Sequence, residues 1–137
     1  MTLMQRWTES EVMYDLACPY MDCGERAIHK KIEITHFPTV LVFNILRFRL
    51  GLKIRDHVIF TQNISFRDIP DTVYPDLRYR LISIVVHRGR RLDSGHYVAY
   101  FKQGNSWKEA DDRMITTVHW NIVKDKEAFL IFYEKVE

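Results

Sequence analysis

The stretch from Ser94 to Asp112 leaves little choice of local structure. Ser94-Gly95-His96 leads into Tyr97-Val98-Ala99-Tyr100-Phe101, an aromatic and β-branched run of strand type. Gln103-Gly104-Asn105 is a short polar break, and Trp107-Lys108-Glu109-Ala110-Asp111-Asp112 comes next as a second strand ending in paired aspartates. Antiparallel strands joined across such a break bring their outer ends together, so His96 and Asp111 can meet. A histidine held by a carboxylate supplies the base and the orienter of a nucleophile–base–orienter unit. The same residues also have a plainer reading. His96 can be a core histidine satisfied by a carboxylate, and Asp111 and Asp112 suit a turn at a strand end.

Composition limits what such a pair could belong to. The chain has 137 residues, 47% of them hydrophobic, which is enough for one core. A net charge of +2, with Arg88-Gly89-Arg90-Arg91 as the one basic cluster, argues against nucleic acid as a partner. Apolar runs fall short of membrane-spanning length, and the N-terminus lacks the basic-then-apolar order of a signal peptide. Two cysteines do not make a disulfide framework. The expectation is an intracellular domain, cytoplasmic or nuclear, with reduced thiols and no membrane contact.

Along the chain, residues 1–17 read as a short helix, with Thr8 and Glu11 as a capping box and Trp7 as a staple. Cys18 to Gly24 is a turn bracketed by Pro19 and Gly24. Ala27 to Glu33 suits an exposed strand. Pro38 to Phe48 is apolar on both faces and predicts a central strand covered on both sides. Lys53 to Phe60 reads as another strand, and Asn63 to Tyr74 as a loop with a short strand. Tyr79 to Arg88 is the second strongly β run, and Arg88 to Asp93 a charged loop. Met114 to Trp120 continues the sheet, Trp120 to Glu127 holds a turn or two of helix, and Ala128 to Glu134 closes the chain as a strand. The fold class is therefore α+β, mostly antiparallel sheet with little helix.

The order of motifs resembles a known family. Cys18 and Cys23 come first, then Phe37-Pro38-Thr39-Val40-Leu41-Val42 with Leu46-Arg47-Phe48, then Tyr79-Arg80-Leu81 with Val86-His87. Ser94 to Tyr100, Trp107 with Asp111-Asp112, and Ala128 to Glu134 complete the series. This order is similar to the C-terminal half of the catalytic domain of ubiquitin-specific proteases, the papain-like cysteine deubiquitinases. The resemblance implies the palm and part of the fingers of that fold, with residues 1–36 as the fingers remnant, 37–137 as the palm, and the thumb missing. It implies ubiquitin or ubiquitinated proteins as partners. His96 stands at the family's general base, Asp111 at the residue orienting it, and Asp112 at a second acidic position near the oxyanion region. Cys18 and Cys23 resemble one cysteine pair of a structural zinc site, and no cofactor is implied for catalysis.

The chain departs from the pattern in one decisive respect. The family's nucleophile lies in a Gly-Asn-Thr-Cys-Tyr box, and nothing here matches it. Cys18 precedes Pro19 and Cys23 precedes Gly24. Without a thiolate the histidine has nothing to activate. Two readings result: the C-terminal part of a deubiquitinase whose nucleophile lies in sequence not present here, or a catalytically dead relative serving as a ubiquitin-binding or scaffolding module. The cysteines are also set further apart than the family's usual pair. Zinc takes four ligands, and His29 and His36, the nearby candidates, do not fit the usual spacing. As small apolar residues the two cysteines need no metal at all. Strands left without their helical cover predict a marginally stable or self-associating species.

Overall fold

The computed structural model describes residues 10–20, 23–32, 36–68, 74–91 and 93–136. Its centre is β7 (Arg78–Arg88), an 11-residue strand whose middle carries Leu81, Ile84, Val86 and His87 into the interior. The chain turns back into β8 (His96–Gln103), then β9 (Ser106–Asp111), then β10 (Met114–Val118), an antiparallel meander. On the other side of β7 lies β11 (Ala128–Lys135), and beyond it β3 (Val40–Asn44). The short β6 (Asn63–Ser65) pairs with the beginning of β7. Two small hairpins stand apart from this sheet: β1 (Glu11–Tyr14) with β2 (Ala27–Lys30), and β4 (Phe48–Arg49) with β5 (Leu52–Lys53). Helix is confined to α1 (Trp120–Lys124) and a 3₁₀ turn at Phe66–Asp68, among the described residues. The α+β, mostly antiparallel class read from the sequence is the class of the structure.

The period of two along a strand sorts the meander's residues into two faces. One face presents Ile84, Val86 and Arg88 of β7, His96, Val98 and Tyr100 of β8, and Trp107, Glu109 and Asp111 of β9, as the cross-strand register requires. Most of this face is closed by core packing. Val98, Tyr100 and Trp107 are buried, and Trp107 stacks near Trp120 of α1 with ring centroids 5.4 Å apart. Phe60 meets the same Trp120 edge-on at 6.0 Å. Buried phenols find partners: Tyr133 Oη donates to the Thr61 carbonyl at 2.7 Å, and burial pushes that phenol's pKa up to about 12. At the far end of the face, where β7, β8 and β9 stop, His96 and Asp111 are only partly buried.

The structure corrects three sequence expectations. Glu11–Tyr14 is a strand, not part of a helix; pairing with Ala27–Lys30 satisfies its backbone where so short a helix would be marginal. Trp7 and Thr8 of the expected cap lie outside the described residues. The run from Pro38 to Phe48 is not a central strand. Its β part, Val40–Asn44, pairs on one side only with β11, and Val40 and Val42 are 41% and 47% exposed. Lys53 to Phe60 is not a continuous strand, since the ladder ends at Lys53 and residues 54–60 are irregular. Arg47 accounts for that break. It is 2% exposed, and its guanidinium donates to the carbonyls of Ala128 (2.5 Å), Ile54 (3.2 Å) and Asp56 (2.8 Å), which holds the backbone out of a ladder.

Candidate active site

The β8–β9 connection is tight. Gln103 pairs with Ser106, leaving Gly104-Asn105 as the turn, and Gly104 takes φ +57°, as the first central residue of such a hairpin demands. That register carries His96 and Asp111 to the same end of the sheet. His96 Nε2 lies 2.5 Å from Asp111 Oδ1. The two side chains are 41% and 36% exposed, and a pair this wet contributes little to stability. Its effect is geometric. With Nε2 engaged by the carboxylate, the proton of neutral His96 sits on Nε2, and Nδ1 is left as the acceptor.

Asp111 is held from two sides. The hydrogen bond from His96 and the nearby Arg88 charge keep its carboxyl below the ordinary aspartate range. Arg88 Nη1 donates to Asp111 Oδ2 at 2.7 Å, while Nη2 donates to Glu109 Oε1 at 2.7 Å and to Tyr100 Oη at 3.1 Å. The hydrogen bond to Glu109, above all, holds the guanidinium pKa above its usual value. The sequence reading did not assign Arg88 to the site, placing it at the end of a β run and the start of a charged loop. The signal was available: the β run was read as reaching Arg88, and the β7–β8 register makes that residue the cross-strand partner of His96.

Asp112 lies at the turn into β10, with Asp111 paired to Met114 and φ +52° at Asp112. Aspartate tolerates this left-handed conformation better than most residues. Asp112 is also part of the site, since ligand atoms of His96, Asp111 and Asp112 lie within 4.8 Å of one another. The three residues predicted as catalytic from the sequence, His96, Asp111 and Asp112, therefore lie together.

Behind the site, on the opposite face, His87 is buried between the rings of Phe48 and Tyr97, at centroid distances of 5.4 and 4.8 Å. Its ring fills the space beside Gly95. A Cβ at Gly95 would overlap His87 Nε2, lie 2.6 Å from His87 Cε1 and 2.8 Å from the Arg88 carbonyl oxygen. The glycine before His96 is thus required by close packing. Burial and the Lys53 charge lower the His87 pKa, which keeps this ring neutral.

Cys18 and Cys23 lie on the loop joining β1 to β2, both free. Their side chains hydrogen-bond each other, which raises the Cys18 thiol and lowers that of Cys23. Two sulfurs are half of a tetrahedral zinc donor set. Among the described residues neither His29 nor His36 completes a group of three with them. No helix among the described residues is long and apolar enough to cross a membrane.

Comparisons with known proteins agree with this fold. Ubiquitin carboxyl-terminal hydrolase nonstop of Drosophila melanogaster is 32% identical over 114 residues, which is 77% of this chain and 23% of that protein. Ubiquitin carboxyl-terminal hydrolase 10 of Saccharomyces cerevisiae is 28% identical over 113 residues, 78% of this chain and 14% of its own length. In structure, the Ubp8/Sgf11/Sus1/Sgf73 SAGA DUB module bound to monoubiquitin matches with a TM-score of 0.83 at 27% identity, covering 99% of this chain and 33% of that one. The same module bound to ubiquitin aldehyde matches with a TM-score of 0.83 at 25% identity, covering 99% of this chain and 34% of the other. This chain thus spans between about a seventh and a third of these relatives. Residues 4–133 match the family profile described as UCH, ubiquitin carboxyl-terminal hydrolase. The chain belongs to the ubiquitin carboxyl-terminal hydrolase family.

Proposed function

We propose that this chain supplies the base side of a cysteine-type deubiquitinase that hydrolyses peptide or isopeptide bonds at the C-terminus of ubiquitin. His96 is the general base and acid, Asp111 its orienter, and Asp112 a further acidic group beside the oxyanion region. The observation that carries the reading is the 2.5 Å contact between His96 Nε2 and Asp111 Oδ1, which leaves Nδ1 to take the proton of a thiol. His96 then returns that proton to the departing amine. The nucleophilic cysteine comes from sequence outside these 137 residues, since Cys18 and Cys23 belong to a separate hairpin. Residues 37–137 form the palm and residues 1–36 the fingers remnant. Catalysis by this set needs no cofactor, and Cys18 and Cys23 are half of a structural zinc site completed by donors from elsewhere. The solved relatives bound to ubiquitin and ubiquitin aldehyde support ubiquitin as the partner.

The test is reaction with ubiquitin carrying a C-terminal thiol-trapping electrophile, beside His96→Ala and a Cys18→Ser/Cys23→Ser double variant. The chain alone binds ubiquitin and forms no adduct. In protein that also carries the nucleophile, adduct formation appears, and His96→Ala slows hydrolysis by roughly 10²–10⁴-fold. A His96-dependent adduct on Cys18 or Cys23 would overturn the assignment of the nucleophile. Ubiquitin binding without hydrolysis in any form of the protein would leave a binding module instead.

A further inference from the structure

We infer that Arg88 is a positioning residue of this site: its guanidinium clamps the outer oxygen of Asp111 so that the inner oxygen faces His96. This rests on the reading of His96 and Asp111 as base and orienter. A carboxylate on the last residue of a strand, 36% exposed and next to a two-residue turn, is free to rotate about χ2. One hydrogen bond to His96 does not fix it. A second, on the other oxygen, defines the carboxylate plane. Arg88 Nη1 gives that bond at 2.7 Å to Oδ2, while His96 takes Oδ1.

The clamp is itself anchored. Arg88 Nη2 is held by Glu109 Oε1 at 2.7 Å and by Tyr100 Oη at 3.1 Å, and Tyr100 is fully buried. Strands β7, β8 and β9 thus each contribute a residue that fixes the guanidinium or is fixed by it. The planar fork suits two carboxylates at once, which a lysine ammonium cannot match. The charges facing Asp111 are His96, Arg88, Glu109 and Asp112, with Arg113 lining the adjoining hollow. Arg88 offsets the acidic excess of this group. Without it, Asp111 would sit beside two further carboxylates, and the imidazole would have an orienter of variable direction.

The experiment is carboxyl-carbon and imidazole-nitrogen NMR of the 137-residue chain across pH, for wild type, Arg88→Ala and Arg88→Lys. In wild type, Asp111 titrates below the ordinary aspartate range and neutral His96 is the Nε2–H tautomer. In Arg88→Ala the Asp111 midpoint moves up and His96 becomes a mixture of tautomers; Arg88→Lys is intermediate. Because the Arg88 side chain is 43% exposed, the amide spectrum of β11 stays unchanged, which checks the fold. Should Arg88→Ala disturb it, the bulkier Arg88→Gln carries the test. In protein that hydrolyses a ubiquitin substrate, Arg88→Ala lowers kcat about tenfold with little change in KM, since only orientation is lost. An unchanged Asp111 midpoint and an unchanged tautomer in Arg88→Ala would overturn the inference. The NMR shifts appearing in a chain that does not bind ubiquitin would sink the deubiquitinase reading and leave the role of Arg88 standing.

Discussion

Gly95 shows how a single residue couples the core to the chemistry. It precedes His96 and meets, on the other face, the ring of the buried His87. Gly95→Ala forces a Cβ into that ring and the Arg88 carbonyl, so one of them must move. Overpacking of this kind costs about 1–3 kcal/mol. The expected result is a lower Tm and a displaced His96, seen as loss of the Nε2–H tautomer preference. Adding His87→Ser to Gly95→Ala makes room and recovers part of the Tm; a strictly additive double variant would count against the clash. The Gly-His pair is legible in the sequence as a motif, but its physical cause is not. Nothing in the spacing says that His87 lies behind Gly95 until the β7–β8 register is known.

Among the elements, β3 and the irregular segment beyond it depart most from the sequence reading. Pro38 to Phe48 has the composition of a covered strand, and composition does not reveal that the ladder stops at Asn44. Three residues on, the Arg47 side chain reaches Ile54, Asp56 and Ala128, up to 81 residues away. Local pattern carries no trace of a contact at that distance. The meander was legible because its signals are local: two short turns, alternating residues and a polar break. Arg47 is buried with three carbonyls depending on it, and burial lowers its pKa against the pull of Glu127 and Asp56. Arg47→Met keeps the volume and strands those acceptors, at a cost of about 2–4 kcal/mol. Urea unfolding should show the midpoint falling accordingly, with the His96–Asp111 contact kept. An unchanged midpoint would mean that water replaces the guanidinium at no cost.

At the scale of the molecule, the sheet ends, among the described residues, in two strands paired on one side only, β3 and β10. Val40 and Val42 on β3 and Met114 and Ile115 on β10 are exposed, as are Leu46, Leu50 and Leu52 nearby. Unpaired apolar edges template association between copies. Sedimentation velocity of the chain should show mass increasing with concentration, and Val42→Lys should shift it toward monomer without lowering Tm. A monodisperse monomer at all concentrations would refute this. The topology also separates two kinds of contact by distance along the chain. His96 and Asp111 are 15 residues apart, whereas the Arg47–Ala128 bond that ties the edge to β11 closes a span of 81. Loop-closure entropy grows with the logarithm of that span, so closing the shorter loop costs about 1.5 kcal/mol less. His96 and Asp111 are therefore brought together by a far less demanding chain closure than the one that ties the edge to β11.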